Sequence, residues 1–377
     1  MIKPLLKLTV HAGRHNRTHC PVSYRIPTDA PLLQGSGIEL LHLSTAAGEP
    51  VPLQCEENGG TVTLHWIVPK LGAGESAVFI VQAGGQRQEA GEGIELIEKE
   101  HQLDIHIGGA FFTSYVYDPQ RAKPYLGPVI GPYGESFTRL DFETKEHPHH
   151  RSVWLAVGDV NGVDLWNEPK DRHGIQTFEG FKERVSGPVF ARLTASQQWC
   201  NHGKRPQMAE QRTMTFYNTP AGERFIDLDT ELRMLGRIEF GATKEAGPLG
   251  IRVAESMKAE NGGTIVNAFG SVGEAECWGE RAPWCDYYGT VGGKTLGIAA
   301  FDHPGNMDFP TFWHVRDYGL LAANNLYFLG GKLFQKGETI RYKHRIYFHE
   351  GDTAAAGVAN KYHDYIHPPV VTAEEPE

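Results

Sequence analysis

The stretch Arg224-Phe-Ile-Asp-Leu-Asp-Thr-Glu-Leu-Arg-Met-Leu235 contains the pattern that decides the fold. Its even-numbered positions from 226 to 234 hold Ile, Leu, Thr, Leu and Met, while the odd-numbered positions from 227 to 233 hold Asp, Asp, Glu and Arg. Side chains alternate between the two faces of a β-strand, whereas a helix repeats every 3.6 residues. The stretch is therefore predicted to be a strand with one buried face.

The same period of two recurs along the whole chain, at 6–10, 62–68, 103–107 and 340–348. Turn sequences such as Asn58-Gly-Gly60, Asn161-Gly162 and Asn261-Gly-Gly263 separate the candidate strands. Short alternating strands with Asn-Gly turns between them are typical of antiparallel sheets. The sequence therefore predicts an all-β protein.

One segment near the end of the chain predicts a helix. In Asp352–Tyr365, Asp352 is a candidate N-cap, Val358, Tyr362 and Tyr365 form an apolar stripe, and Pro368 follows. A single short helix favours a β-sandwich over a βαβ fold. The predicted fold is a large antiparallel β-sandwich with a small N-terminal β module and one short C-terminal helix.

The segment Gln82–Gly93 is polar, rich in glycine and without periodicity, which is typical of a domain boundary. We expect a small β module over residues 1–90, the main sandwich over 91–366 and a flexible tail over 367–377.

Composition excludes several classes of function. The 377 residues carry a net charge of −10, with 36 Lys and Arg against 46 Asp and Glu, so no broad basic surface for nucleic acid is expected. No apolar run is long enough to cross a membrane, and the N-terminus does not resemble a secretory signal, so a cytoplasmic location is expected. The five cysteines show no metal or disulfide spacing, and no glycine loop for a nucleotide cofactor precedes a helix.

The densest group of chemically active residues is Glu146-His-Pro-His-His-Arg-Ser-Val-Trp154. On a strand, His150 and Trp154 would share one surface and Arg151 would point the other way. An aromatic plane beside polar donors suits a sugar ring. A His-rich surface turn and a metal site that includes His149 are the alternatives. Just downstream, Asp159–Gly162 is predicted to be a turn, and the roles of Trp166 and Glu168 stay open.

Two further groups carry polar residues that are costly to bury without a partner. In 243–255, Lys244 and Glu245 precede a glycine-rich bend, Arg252 lies on the strand that follows, and Glu245 is a candidate general base; a Lys-Glu surface pair is the alternative. In 301–319, His303 ends a strand before a Pro-Gly turn. On the next strand His314, Arg316 and Tyr318 share one face and Trp313 lies on the other, which predicts a polar pocket or a ligand site.

Five motifs occur in an order that resembles the bacterial domain family labelled PmoA, over about Leu96 to Tyr365. They are Lys-Pro-Tyr-Leu at 123–126, His-Pro-His-His-Arg-Ser-Val-Trp at 147–154, Gly-Asp-Val-Asn-Gly-Val-Asp-Leu-Trp at 158–166, Thr-Lys-Glu with Gly-Ile-Arg-Val-Ala at 243–254, and Asp-His-Pro-Gly-Asn with Trp-His-Val-Arg-Asp-Tyr-Gly at 302–319. The label names a membrane-bound methane monooxygenase subunit, which a chain without a spanning segment does not match. The family resemblance therefore holds without the functional name.

The resemblance implies a galactose-mutarotase-like β-sandwich and a saccharide ligand. In such sites a Glu takes a proton from the anomeric hydroxyl and a His protonates the ring oxygen. The leading hypothesis is therefore a carbohydrate-active protein that binds a monosaccharide or an oxidised sugar in a concave sheet cleft and performs epimerisation, elimination or glycoside cleavage. The expected proton-transferring residues are His150, Glu245, His303 and His314. The expected substrate-binding residues are Lys123, Tyr125, His149, Arg151, Trp154, Lys244, Arg252, Trp313 and Arg316.

Two alternatives stay open. The first is a sugar-binding or regulatory module without catalysis. The second is a metal-dependent enzyme that uses His147, His149 and His303. No cofactor is expected in the leading hypothesis, a divalent metal belongs to the second alternative, and a homodimer is a general expectation for sandwich proteins.

Overall fold

The structure is a computed structural model that describes residues 3–33, 37–84, 93–140 and 146–375. The strands of the N-terminal part are β1 (Lys3–His11), β2 (Arg17–Pro27), β3 (Leu41–Thr45), β4 (Pro50–Val51), β5 (Gln54–Asn58), β6 (Thr61–Leu71) and β7 (Ser76–Ala83). They are followed by β8 (Ile94–Lys99), β9 (Gln102–Ile107), β10 (Ala110–Val116), β11 (Tyr125–Val129), β12 (Val153–Val157), β13 (Ile175–Val185), β14 (Phe190–Cys200), β15 (Pro206–Tyr217) and β16 (Glu223–Met234).

The last third of the chain contains the helices. Its strands are β17 (Ile238–Phe240), β18 (Ala246–Arg252), β19 (Thr264–Asn267), β20 (Trp284–Val291), β21 (Lys294–Asp302), β22 (Trp313–Arg316), β23 (Leu320–Ala323), β24 (Lys332–Phe334), β25 (Thr339–Glu350) and β26 (Val370–Glu374). The helices are α1 (Glu274–Cys277), α2 (Leu326–Leu329) and α3 (Val358–Ile366). The prediction of an all-β antiparallel protein is confirmed, because α1 and α2 are single turns and only α3 is longer.

Two eight-stranded antiparallel sheets form the main sandwich. Sheet I has the order β22-β23-β18-β12-β11-β10-β9-β8, and sheet II has the order β13-β14-β15-β16-β25-β21-β20-β19. The alternation predicted for residues 224–235 is confirmed in β16, where Ile226 and Leu228 are buried in the core between the sheets. Sheet I contributes Val153, Leu155 and Ile251 to the same core. The residues next to Val153, Leu155 and Ile251 on the same strands of sheet I consequently face away from this core.

The N-terminal part has a core of its own. Its two sheets, with the orders β26-β1-β7-β3-β4 and β2-β6-β5, enclose Leu8, Val10, Leu64 and Trp66. Residues 85–92 of the predicted boundary lie outside the described residues, and the division at residue 90 stays a prediction. The N-terminal part also touches the sandwich, since Gln54 Oε1 accepts hydrogen bonds from two backbone amides of the β13–β14 connection and β14.

The C-terminal segment departs from prediction in two places. Asp352 accepts hydrogen bonds from the amides of Ala354 and Ala355, but α3 begins only at Val358, because Gly357 adopts a left-handed conformation with φ of 61° and separates the capped turn from the helix. The expected flexible tail over 367–377 is wrong for Val370–Glu374. That segment is β26, an edge strand paired antiparallel with β1, which supplies the partners for its backbone groups.

Candidate functional site

The polar clusters singled out in the sequence meet on the face of sheet I that points away from the main core. Trp154 on β12 and Arg252 on β18 lie on this outer face, because their neighbours Val153 and Ile251 point into the core. The strand pairing sets Trp154 beside Tyr125 on one side and beside Gly250 on the other. A small apolar cluster of Tyr125, Trp154, Ala156, Trp166, Leu320 and Ala322 forms the floor of the outer face.

Trp154 is the centre of this floor and not a platform for a ligand. The His150 ring stacks on it at 5.1 Å and 26°, so the predicted common surface of His150 and Trp154 is confirmed. The Trp166 ring covers another part of it at 4.9 Å, and Trp154 is 0% exposed. The expected stacking of a sugar on Trp154 therefore has no open ring face to use. Tyr125 belongs to the same floor and is 5% exposed, so its ring packs against the other floor residues and is not open to a ligand either.

A buried ion network lies next to the floor and consists of Lys123, Arg151 and Glu168. Lys123 Nζ lies 2.6 Å from Glu168 Oε1 and 2.8 Å from the carbonyl oxygen of Trp166, and Arg151 holds both oxygens of Glu168 at 2.9 and 2.8 Å. Arg151 was expected to point away from His150. Because β12 begins only at Val153, residue 151 lies outside the strand and its side chain turns towards the same region.

Burial sets the charge states in this network. It lowers the pKa of Lys123 to about 8, although the neighbouring Glu168 opposes the change. Burial also works against ionisation of Glu168, but the two cations beside it bring its pKa below the usual range. The charged form is thus disfavoured in Lys123 but favoured in Glu168. The difference follows from exposure, since the Glu168 side chain keeps 17% of its surface in solvent and the Lys123 side chain keeps none. With its donors engaged inside the protein, Lys123 positions Glu168 and is not placed to bind a substrate.

Above the floor, three imidazoles and a phenol form a stack. The His147 ring lies 4.9 Å from His150 and 4.5 Å from Tyr318, nearly parallel to both, and His149 meets His150 edge-on at 4.6 Å. Burial, aided by the nearby Lys123 charge, lowers the pKa of His149 to about 4, and burial likewise depresses the pKa values of His147 and His150. All three rings are thus neutral at pH 7. His147 and His149 are half-buried, whereas His150 is 1% exposed beneath them.

Arg252 ties this stack to the strands that follow. Its guanidinium lies 4.8 Å from the centre of the Tyr318 ring, 3.4 Å from His150 Nδ1 and 3.1 Å from Glu146. Arg252 is fully buried, so it orients the aromatic groups and is not itself open to a ligand. Its position opposite Ile251 agrees with the predicted alternation.

The third cluster joins the site through Tyr318. Arg316 lies 5.8 Å from the centre of the Tyr318 ring, pairs with Glu274 at 2.6 Å and is one-third exposed. His314 lies on the same face of β22, and its Nδ1 accepts a hydrogen bond of 2.9 Å from the indole N–H of Trp278. Because an indole can only donate, neutral His314 carries its proton on Nε2. Burial and the charges of Arg316 and Lys244 lower the pKa of His314 to about 4.

Lys244 and Glu245 lie at the edge of the same region. Asn324 holds this bend by donating hydrogen bonds to the carbonyl oxygens of Thr243 and Lys244. The Lys244 charge acts on His314 and the Glu245 charge acts on Tyr318. Lys244 is half exposed, while Glu245 is about one-third exposed and accepts a hydrogen bond from the Thr243 hydroxyl at 3.3 Å.

Two predicted site residues lie elsewhere. His303 packs edge-on against Tyr365 at 5.3 Å and senses the charges of Lys343, Asp229 and Asp227, which all belong to sheet II or to α3. Trp313 points into the main core, where its indole N–H donates to the carbonyl oxygen of Ala282, because alternation on β22 sends it opposite His314.

The position of His303 also removes the metal site proposed for it with His147 and His149. The ring centres of His147 and His149 lie 5.8 Å apart, and His303 lies against the other sheet, so the three imidazoles do not converge.

Several residues of the site were not predicted. Glu168 was left open, because its left-handed backbone (φ of 53°) belongs to a loop whose direction no period reveals. The half-buried Trp278 directly follows α1, and the neighbouring Tyr327 and Phe328 lie on α2. Both helices are too short to have a recognisable pattern. Tyr318 was assigned to the correct face, but its central place between His147 and Arg252 depends on contacts between strands distant in sequence.

Comparison with known proteins places the chain in a family. Residues 102–363, well over half of the chain, match the model of a family of unknown function, DUF6807. The chain belongs to DUF6807. No curated protein matches it. The resemblance stated from the sequence is thus supported as membership of a family of unknown function, and the PmoA label is not part of that finding.

Several solved structures are distantly similar to this chain. A glycosyl hydrolase family 38 protein from Enterococcus faecalis has a TM-score of 0.47 at 10% identity, over 99% of this chain and 48% of its own. An alpha-mannosidase from Enterococcus faecalis V583 has a TM-score of 0.46 at 10% identity, over 99% and 46%. A galactose mutarotase related enzyme from Lactobacillus acidophilus has a TM-score of 0.30 at 7% identity, over 68% of this chain and 97% of its own. The DUF6807 chain spans about half the length of the first two.

The helices of the described residues bear on membrane insertion. None of them has both the length and the apolar character that a bilayer-spanning helix requires.

Proposed function

We propose that this DUF6807 protein binds a carboxylate-bearing sugar on the outer face of sheet I, at the end of the sheet formed by β18, β23 and β22. The observation that carries the proposal is the set of groups around His314: two partly exposed cations, Arg316 and Lys244, next to the half-buried indole of Trp278. A sugar acid needs a cation for its carboxylate, donors and acceptors for its hydroxyls, and an aromatic surface for its C–H groups.

The aromatic surface is supplied by the two short helices. Trp278 contacts Phe328 at 5.4 Å and Tyr327 at 6.3 Å, and Tyr327 is 42% exposed. In contrast to Trp154, these rings reach solvent, so they replace Trp154 in the role that the sequence analysis gave it. Arg316 and Lys244 are each paired with a carboxylate, Glu274 at 2.6 Å and Glu245 at 3.9 Å, and an acidic ligand would take the place of these partners on the two cations.

The chemistry that fits these groups is proton abstraction next to the carboxylate or a carbonyl, as in an epimerisation or an elimination. Glu245 is the candidate base, since its carboxylate is reachable and oriented by Thr243. Neutral His314, 3% exposed, would hold the indole of Trp278 in place through Nδ1 and would transfer no proton. Arg316 and Lys244 would hold the carboxylate.

A binding module without turnover is the second candidate. It is favoured by the low pKa values of His149 and His314, both about 4, because a general acid works best with a pKa near the operating pH. The half-buried His149 would then orient a sugar hydroxyl, and neither imidazole would transfer a proton.

Binding and turnover can be tested separately. Calorimetric titration of the wild type with glucose, gluconate, glucuronate and galacturonate should reveal binding of at least one acid in preference to glucose. Arg316→Ala should weaken binding of that acid at least tenfold, whereas Arg184→Ala, a change at an exposed arginine on β13, should not. The proposal fails if no acid binds, or if Arg316→Ala binds the acid as the wild type does.

The reaction is followed by deuterium incorporation into the bound acid in D2O, measured by NMR. We expect exchange with the wild type and none with Glu245→Gln, which should keep its affinity. Binding without exchange in the wild type would reject the enzyme and support the second candidate.

A further inference from the structure

A second group of histidines lies far from sheet I, where the N-terminal part meets the C-terminal helix. It consists of His15, in the turn between β1 and β2, and of His363 and His367, in and just after the last turn of α3. One ring nitrogen from each can be chosen so that all three lie within 4.8 Å of one another. In the described part of the chain this is the one group of three His, Cys, Asp or Glu residues with that property.

The spacing within the group suits metal ligation. His363 and His367 are four residues apart at the end of a helix, and their Nδ1 atoms are separated by 3.4 Å. Two imidazole nitrogens bound to one tetrahedral zinc ion at about 2.0–2.1 Å lie about 3.3–3.4 Å apart. The helix pair is therefore already at ligand spacing, and His15 is the third donor.

The three rings are stacked on one another in the structure, so they must reorient before they can bind one metal ion. The His15 ring lies 3.7 Å from His363 with an angle of 10° between the planes, and 6.2 Å from His367. A metal binds in the plane of each imidazole, so the rings must tilt from parallel to convergent. Since His15 and His363 are only half-buried and His367 is exposed, the side chains have room to do so.

The surrounding groups hold the backbone of the site in place. Arg17, 3% exposed, donates hydrogen bonds to the carbonyl oxygens of Ala12 at 2.9 Å and His367 at 2.8 Å, and it pairs with Asp364 at 3.1 Å. Its charge is thereby compensated inside the protein.

His15 and His367 border a cleft of about 380 Å³. The cleft is lined by His11, Gly13, Arg14, His15, His367 and Val370, among others. Three protein ligands leave one tetrahedral position for water or another ligand, and the cleft provides the space for it.

We propose that His15, His363 and His367 bind a divalent transition metal of the zinc type and thereby link the β1–β2 turn to helix α3. Imidazole ligands suit Zn²⁺, Ni²⁺ and Cu²⁺, and zinc is the probe used here because it adds no redox chemistry. The site is independent of the sugar-binding proposal, since its residues belong to neither sheet I nor the groups around His314.

The experiment is calorimetric titration of tag-free, chelator-treated full-length protein with ZnCl₂. We expect one zinc ion per chain and a loss of at least tenfold in affinity in both His15→Asn and His363→Asn. His202→Asn, a change at an exposed histidine in the β14–β15 turn, is the control and should bind as the wild type does. Zinc should also raise the Tm of the wild type but not of His15→Asn.

The outcome for His15→Asn decides the proposal. If this variant keeps the full affinity, the helix pair alone binds zinc and the proposed three-histidine site is refuted, as it is if the wild type binds no zinc. Thermal unfolding of the metal-free variants shows whether they are folded. Substitution with Co²⁺ gives a second test, because a three-nitrogen site must lack the near-ultraviolet thiolate bands that a cysteine ligand would produce.

Discussion

Replacing Glu168 by Gln removes a negative charge that directly contacts two buried cations of the outer face, Lys123 and Arg151. Lys123 lies 2.6 Å from Glu168 and is completely buried, and Arg151 is paired with both carboxylate oxygens while 3% of its side chain is exposed. The amide of Gln has nearly the same shape as the carboxylate. The substitution therefore changes charge and leaves packing almost unaltered.

The size of the effect follows from the burial of the partners. Breaking a buried ion pair by neutralising one member costs about 3–5 kcal/mol, because the remaining charge stays buried without compensation. Glu168 retains 17% exposure and Arg151 still donates to the carbonyl oxygen of Pro148 at 2.6 Å, so we expect the lower end, about 3 kcal/mol. With an unfolding entropy of about 0.8 kcal/mol/K for 377 residues, the Tm should fall by about 4 °C.

Differential scanning calorimetry of the wild type and Glu168→Gln at pH 7 measures this change. The control is Glu98→Gln, which removes the partner of Arg184 from an ion pair of 2.6 Å whose side chains are 46% and 58% exposed. An exposed pair of this kind contributes less than about 1 kcal/mol. If Glu168→Gln lowers the Tm no more than Glu98→Gln does, Lys123 and Arg151 do not depend on Glu168, and the electrostatic description of this network is wrong.

Three other changes probe the outer face of sheet I. Gly250→Ala should lower the free energy of unfolding by about 1–3 kcal/mol in urea titrations, because its new methyl group would lie within 3 Å of both Trp154 and Trp166. The control Gly236→Ala, whose methyl group would have no atom within 4 Å, should change the free energy of unfolding by less than about 0.5 kcal/mol. Equal effects of the two substitutions would contradict the packing argument. The pKa of Lys123 is about 8 in the folded protein and about 10.4 in the unfolded one, so the unfolded chain binds more protons between pH 8 and 10. The stability of the wild type relative to Lys123→Met, measured in urea titrations, should therefore rise with pH over that range. A stability difference that does not change with pH would refute the depressed pKa. The pKa of His149 is about 4 in the folded protein and about 6.5 in the unfolded one, so the unfolded chain binds more protons between these values. The free energy of unfolding should therefore fall as the pH drops from 6.5 to 4, and it should fall less in His149→Gln. If the free energies of the wild type and His149→Gln, measured by urea unfolding, fall in parallel, His149 titrates normally.

The strands were predictable because their signal is local. Alternation along β16, β18 and β22 separated the two faces of each strand, and it set Arg252 opposite Ile251 and His314 opposite Trp313. Where the chain leaves regular structure, the period carries no information. Arg151, two residues before β12, accordingly turned to a side that alternation did not predict.

The residues that make up the site were harder to predict from the sequence than the fold was. The motifs drew attention to His149, His314 and Arg316, but also to His303, which lies against sheet II, and to Trp154, which is buried. A motif shows that polar residues are unusually dense and does not reveal which of them another segment covers. Trp154 is closed off by Trp166 and His150. Alternation predicted that His150 and Trp154 share a surface, but it did not predict that the His150 ring stacks on the indole, and nothing in the sequence indicated the contact with Trp166.

The amino-acid sequence alone determined that this chain folds into antiparallel sheets and which face of each long strand is buried, because both follow from the alternation of neighbouring side chains. Only the tertiary structure decided that β18 and β22 meet on either side of β23, that α1 and α2 bring aromatic rings to His314, and that His15 meets α3 at the opposite end of the chain. These arrangements depend on contacts between segments tens to hundreds of residues apart, and no local periodicity encodes which segments become neighbours.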